Sequence, residues 1–235
     1  MSAARIIIDN SIRLLGLIKN RLQITPKIRS KDGRICINLG CGLAVAPGWI
    51  NVDASLNALI GGAPRWMLSI FYNFSGANRY YSLSQYCRLL REHTFIFHDV
   101  SRSFPFHPQS VDVIYSSHFF EHLFKNDAER LMRDAFASLK PGGIMRIAVP
   151  DLDYAIKLYQ AGHKQRMLED YFFVEDRSSY LARHKFMYDF ELLQSALRKA
   201  GFENIRRCSY QQGDTPDITI LDNRPEETLF VEAYR

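Results

Sequence analysis

Residues 34–42 read Arg34-Ile-Cys-Ile-Asn-Leu-Gly-Cys-Gly42, and the reading of this run decides the fold. Its apolar and β-branched residues up to Leu39 mark a buried strand, which Gly40-Cys-Gly42 ends in a tight turn. Glycines there let the chain turn sharply and bring backbone N–H groups close to a ligand with no Cβ in the way. A second short strand is expected at Trp49-Ile-Asn-Val-Asp53, after the turn pair Pro47-Gly48. The strand pattern returns at Thr94-Phe-Ile-Phe-His98, Val111-Asp-Val-Ile-Tyr115 and Ile144-Met-Arg-Ile-Ala-Val149, and in two late segments near residues 205–210 and 229–233.

Helical patterns separate these strands. Residues 54–92 lose strand character and carry Gly61-Gly62, Pro64 and many aromatics, so they read as a helical insertion that packs on its own core or lids a ligand. Asn126 or Asp127 can cap a helix with Ala128, Leu131, Met132, Ala135, Phe136 and Leu139 on one face, stopped by Pro141-Gly-Gly143. Another helix is expected over residues 153–160, and a third is capped by Asp189 and closed by Gly201. The alternation predicts an α/β fold, a doubly wound and mostly parallel seven-stranded sheet. The closing strand pair, with no helix between its members, points to an antiparallel edge.

At 235 residues and 47% hydrophobic, the chain fits one substantial domain with an insertion, and disorder is excluded. The net charge of +5 comes from Lys and Arg scattered among acids, so nucleic acid is not indicated. Arg206-Arg207 and Arg183-His184-Lys185 read as solvated surface, though they also suit an acidic glycan. Cys36, Cys41, Cys87 and Cys208 form no CxxC pair, which argues against structural zinc and a disulfide scaffold and for a reducing cytoplasm. Residues 6–18 are too short and charged to span a bilayer. Ile7, Ile8, Ile12, Leu15 and Ile18 share a helical face that either packs on the domain or makes a peripheral contact with the inner membrane. The expected organisation is an N-terminal helical extension (1–33), then one domain (34–235) with the insertion at about 54–92 and a substrate-cap segment at about 153–188. The sequence does not give the oligomeric state.

In open α/β sheets ligands bind beyond the carboxyl ends of the strands, so the residues after each strand carry the functional reading. Gly40 and Gly42 follow the first. Asp53, suited to gripping two ribose hydroxyls, follows the second, and Asp99, suited to an adenine amino group, follows the third. Only ten residues separate Gly42 from Asp53, so the usual first helix is short or absent, which argues against a nicotinamide enzyme.

The run Ile37-Asn-Leu-Gly-Cys-Gly42 resembles motif I of class I S-adenosylmethionine (SAM)-dependent methyltransferases. Ser110-Val-Asp-Val-Ile-Tyr-Ser-Ser-His-Phe-Phe-Glu-His-Leu123 and Leu139-Lys-Pro-Gly-Gly-Ile-Met-Arg-Ile-Ala-Val-Pro150 resemble the later motifs of the methyltransferase type 11 group. Pro47-Gly-Trp-Ile-Asn-Val-Asp53 and His184-Lys-Phe-Met-Tyr-Asp189 are similar to a bacterial subfamily associated with surface-polysaccharide biosynthesis. The resemblance implies a Rossmann-like fold with SAM as cofactor and S-adenosylhomocysteine as product. It places Asn38, Gly40, Cys41 and Gly42 at the methionine part, Asp53 at the ribose, Asp99 and Val100 beside the adenine, and Ser116, Ser117 and His118 next to the methyl group. It also implies a small-molecule or glycan acceptor, with O-methylation of a sugar hydroxyl of a surface glycan or its precursor foremost. Another small molecule or a lipid, or a SAM-binding regulatory protein without turnover, are the alternatives.

A hydroxyl acceptor needs its proton removed, by a base or with a metal. His118 is the first choice by position, with His122, Asp151 and His184 as the other catalytic candidates. The plainer readings are backbone bonding for His122, helix capping for Asp151 and Asp153, solvation or pairing with a base for Glu121, and a surface place for His184 and Tyr188. His118-Phe-Phe-Glu-His122 also spells the His-x-x-Glu-His pattern of certain zinc peptidases, but no third ligand is evident, so no metal is assigned.

Overall fold

The computed structural model describes residues 33–173 and 183–235. The expected N-terminal helix and residues 174–182 of the cap segment lie outside the described residues. Seven strands form one sheet: β1 (Cys36–Leu39), β2 (Ile50–Asp53), β3 (Thr94–Phe97), β4 (Val111–Ser117), β5 (Leu139–Pro150), β6 (Asn204–Cys208) and β7 (Thr228–Tyr234). Their order is β3-β2-β1-β4-β5-β7-β6, with the first five strands parallel. The edge is antiparallel as expected, but β7 is inserted between β5 and β6 and runs against both. A short helix, Ile218–Leu221, lies between the two closing strands, where the sequence suggested none.

Residues 40–49 connect β1 to β2 with no helix, so the shortened crossover is real. Asn38, buried on β1, pins it by donating from Nδ2 to the Ala44 carbonyl (2.8 Å). The sheet face left uncovered is filled by Ala46, Trp49 and Leu221, packed with Cys36, Val113, Tyr115 and Ile144. The Trp49 ring stands edge-on to Tyr115, and its Nε1 donates to Asp217.

The other face is covered by two long helices, Lys125–Ser138 and Phe190–Ala200, whose apolar stripes bury Leu131, Met132, Ala135, Leu193 and Leu197 against Ile37, Leu39 and Ile147. Asp189 caps the second helix through the Leu192 N–H, and Gly201 closes it at φ 113°. The first differs from expectation. Phe124, in extended conformation, takes the cap position, and Asp127 falls in the first turn, where its charge faces the positive end of the helix dipole.

The insertion is helical, with Leu56–Ile60, Arg65–Tyr72 and Leu83–Glu92. It buries Leu68, Tyr86, Cys87 and Leu90 with Phe95 of β3 and Cys41 in a cluster of its own. Among the described residues no helix is long and apolar enough to cross a membrane.

Arg146, in the middle of β5, is fully buried, which its place in an apolar run conceals. Its guanidinium donates to both oxygens of Asp222 (2.6 and 3.2 Å), to Glu232 (3.2 Å) and to the carbonyls of Gln212 and Ser209. Burial alone would raise the Glu232 carboxyl, but Arg206 and the N–H groups of Asp214 and Thr215 hold it down to about 2. Arg206 and Arg207 are exposed, as read from sequence, and each is also paired: Arg206 with Asp214 and Glu232, Arg207 with Asp151. Removing one partner of such a network leaves buried charge unpaired. Arg146→Met is therefore expected to cost about 3–5 kcal/mol in urea unfolding, and a loss under 1 kcal/mol would contradict this account.

Candidate functional site

The five parallel strands open on one rim, and the loops there hold most of the residues singled out in the sequence. Gly40 and Gly42 adopt positive φ (63° and 51°), the left-handed region that favours glycine. The Asp53 carboxylate reaches back from β2 to this turn: Oδ2 accepts from Gly42 N (2.8 Å) and Oδ1 from Ser55 N (2.7 Å). Each oxygen keeps one lone pair for a further donor. Asp99 is folded onto its own loop, accepting from Ser101 N and facing the Arg102 guanidinium at 3.3 Å. Val100 is buried in the main core.

Cys41 is buried, and its thiol is pushed well up, by burial first and by the Asp53 charge second, so it stays protonated. Ser116 is fully buried and donates to the Leu39 carbonyl (3.1 Å), tying β4 to the end of β1, while Ser117 is half-buried beside it.

Four side chains gather after β4. His118 takes φ 49°, uncommon for a residue with a side chain, and its N–H is held by Ala148 of β5 (2.8 Å). Its imidazole lies between the Glu121 carboxylate (Nδ1 to Oε1, 3.4 Å) and the Thr228 hydroxyl (Nε2, 3.3 Å), with Arg224 also at Nδ1 (3.4 Å). Glu121 is 1% exposed, contrary to the solvated reading. Burial would raise its carboxyl, but the imidazoles of His118 and His122 outweigh that and hold it below its usual value. His122 bonds through Nδ1 to the Arg183 carbonyl (3.3 Å), the plain role expected of it, and its ring lies against His184 with centroids 5.1 Å apart, tilted by 55°.

His184 and Tyr188 are not surface residues. His184 is half-buried with Nδ1 on the Tyr171 carbonyl (2.7 Å), and burial pushes its pKa down. Tyr188 is buried in the core, its phenol pushed up by burial. The segment arrives there because the N–H groups of Lys185 and Phe186 both bond the Glu121 carbonyl. Asp151 stands apart from the imidazole group. It caps the helix Leu152–Gln160 through Asp153 N (3.0 Å), and its other oxygen binds Arg207 (2.6 Å).

Two features were missed from sequence. One is the approach of His184 to His122 across more than sixty residues, which no local pattern encodes. The other is Phe119: a Cβ built on Gly40 would lie 2.2 Å from its Cγ, so the bare glycine makes room for an aromatic ring of the β4 loop. The His-Phe-Phe sequence after a strand was the available signal. Both the strained φ and the clash predict that Gly40→Ala destabilises the protein by roughly 2 kcal/mol or more. Adding Phe119→Ala should recover part of that loss in a double-mutant cycle, and strictly additive losses would refute the contact.

A family model described as a methyltransferase domain matches residues 17–207. Among solved structures the chain is similar to a SAM-dependent methyltransferase from Archaeoglobus fulgidus, at 14% identity and TM-score 0.50, covering 98% of this chain and 94% of that one. It is also similar to a protein from Bordetella parapertussis described as a possible exported protein, at 16% identity and TM-score 0.50, covering 95% and 67%. At such identities the likeness speaks for the fold. No curated protein matches the chain in sequence. The family match spans most of the chain and falls on the sheet and the rim just described, so the protein belongs to the methyltransferase-domain family.

Proposed function

We propose that this methyltransferase uses SAM, bound over the ends of β1 to β4, to methylate a sugar hydroxyl of a bacterial surface glycan or its precursor. The observation that carries the cofactor half is the Asp53 carboxylate held by Gly42 N and Ser55 N, with one lone pair left on each oxygen for the two ribose hydroxyls. In this reading the turn at Gly40, Cys41 and Gly42 receives the methionine part. Asp99 flanks the adenine with Val100 buried behind it, and Ser117 forms the wall nearest the methyl group with Ser116 buried behind it. Asn38 acts from behind by fixing the crossover loop. The glycan half rests on the likeness of the segments 47–53 and 184–189 to a surface-polysaccharide subfamily. The free thiols of Cys41, Cys87 and Cys208 suit a reducing cytoplasm.

Bound there, SAM supplies a methyl group on a sulfonium sulfur, already a good electrophile, so the protein must chiefly align the acceptor and exclude water. His118 is the base. The Glu121 carboxylate and the Arg224 guanidinium, each 3.4 Å from Nδ1, hold the ring in place, and Nε2 faces the Thr228 hydroxyl at 3.3 Å, on the side where the acceptor hydroxyl would lie. With SAM bound, the His118 imidazole would take the acceptor's hydroxyl proton as the methyl passes from the sulfonium sulfur to the acceptor oxygen, leaving S-adenosylhomocysteine. Residues 153–173 and 183–188 serve as the acceptor cap.

SAM and S-adenosylhomocysteine are expected to raise the melting temperature, since a ligand of the native state alone stabilises it. Asp53→Ala and Asp99→Ala should abolish most of that shift, and a wild-type response from both would overturn the cofactor placement. With labelled SAM and glycan extracts read by mass spectrometry, His118→Ala should keep the thermal shift and lose about 10²–10⁴-fold in turnover. Unchanged turnover removes His118 as base, and methyl transfer only to non-glycan acceptors removes the glycan.

A further inference from the structure

We propose that Glu121, His122 and His184 form a binding site for a divalent first-row transition metal, with zinc as the representative ion. One ligand atom from each residue lies within 4.8 Å of the other two. Tetrahedral zinc with bonds of 2.0–2.2 Å sets its ligand atoms about 3.4 Å apart, so a modest closure completes the set.

The hydrogen bonds around the two imidazoles suit a cation. The Nδ1 atoms of His122 and His184 each meet a backbone carbonyl, of Arg183 and Tyr171. A carbonyl oxygen has no hydrogen to give, so both Nδ1 atoms must carry one, and a neutral ring then has its lone pair on Nε2. This is the arrangement that orients metal-bound histidines through their second nitrogen. The Nε2 of His122 faces the Glu121 carboxylate at 3.8 Å, too far for a hydrogen bond. Neither oxygen of this buried carboxylate has a hydrogen-bond partner in good geometry. The buried carboxylate, faced by imidazole nitrogens at 3.4 and 3.8 Å but hydrogen-bonded by neither, leaves a gap that a metal ion held by Glu121, His122 and His184 would fill.

Glu121 is the buried floor of the site, and the two imidazoles are half-exposed, which leaves a coordination position open. Two nitrogens and one oxygen suit zinc and its neighbours rather than magnesium or calcium, which prefer oxygen. This set differs from the peptidase-like His-x-x-Glu-His spelling, whose ligands would be His118 and His122: here Glu121 is a ligand, His118 is not, and His184 comes from a distant segment. On the methyl-transfer reading above, the open position would hold the acceptor oxygen beside His118, but metal binding does not depend on that reading.

The full-length protein, stripped with a chelator, is titrated with Zn²⁺ and separately with Co²⁺, whose visible absorption reports nitrogen and oxygen ligation. One equivalent should bind, with no competition from excess Mg²⁺. His184→Ala and the near-isosteric Glu121→Gln should each weaken binding by roughly 100-fold or more, beyond the usual effect of outer-sphere changes, and circular dichroism confirms that each variant folds. His163→Ala, an exposed histidine elsewhere, should bind as wild type. Less than one equivalent in the wild type, or wild-type affinity in a folded His184→Ala or Glu121→Gln protein, overturns the site. Zinc binding without methyl transfer would instead refute the methyl-transfer reading and leave the metal site standing.

Discussion

The connection from β1 to β2, residues 40–49, is close to the shortest that can join two adjacent parallel strands, and much of the structure follows from that limit. A crossover this short cannot include a helix, so one sheet face loses the layer that normally covers it. Trp49, Ala46 and the short helix Ile218–Leu221 take that place. The chain must leave β1 at Gly40 with positive φ, and it must return in a register that puts Asp53 back over Gly42. Asn38 and Asp53, one on each strand, are the two side chains that hold the loop in this path.

The second organising element lies on the same face, toward the antiparallel edge of the sheet. Arg146 fastens β5 to β7 through Glu232 and to the loop around residues 209–222 through Asp222. Tyr115 of β4 reaches the same Asp222 (3.1 Å), so three strands share one charged node. A network of this kind adds less to stability than its contact distances suggest, because desolvation offsets much of the attraction. Its effect is to fix geometry, with β7 held between β5 and β6 and Thr228 brought to the His118 imidazole at the opposite end of the strand.

What was legible in the sequence is what local physics encodes. The turn at Gly40-Cys-Gly42, the apolar runs of the strands, the Asp189 cap and the Gly201 stop each depend on residues within a few positions of one another. So does the missing first helix, which is simple arithmetic between Gly42 and Asp53. The buried Arg146 was not legible, because its partners lie 76 and 86 residues away and a lone arginine in an apolar run looks like a solvent-facing alternation. The helix expected to start at Asn126 or Asp127 starts earlier, at Lys125, with the exposed Phe124 in extended conformation at the cap position and no side-chain cap bond. At the rim, the individual residues after the strands were readable. Their grouping into Glu121 with three imidazoles was not, since it depends on a return of the chain at residues 183–186.

The contact between Gly40 and Phe119 carries a lesson for altering this protein. The first loop and the loop after β4 are not independent modules, because the ring of one occupies the volume that any side chain in the other would need. Libraries that vary residues 118–122 to accept new substrates can shrink position 119 freely, whereas a larger residue at position 40 is admissible only together with a smaller one at 119. Natural variants of this chain should show the same bookkeeping, with bulk exchanged between the two positions rather than added at both.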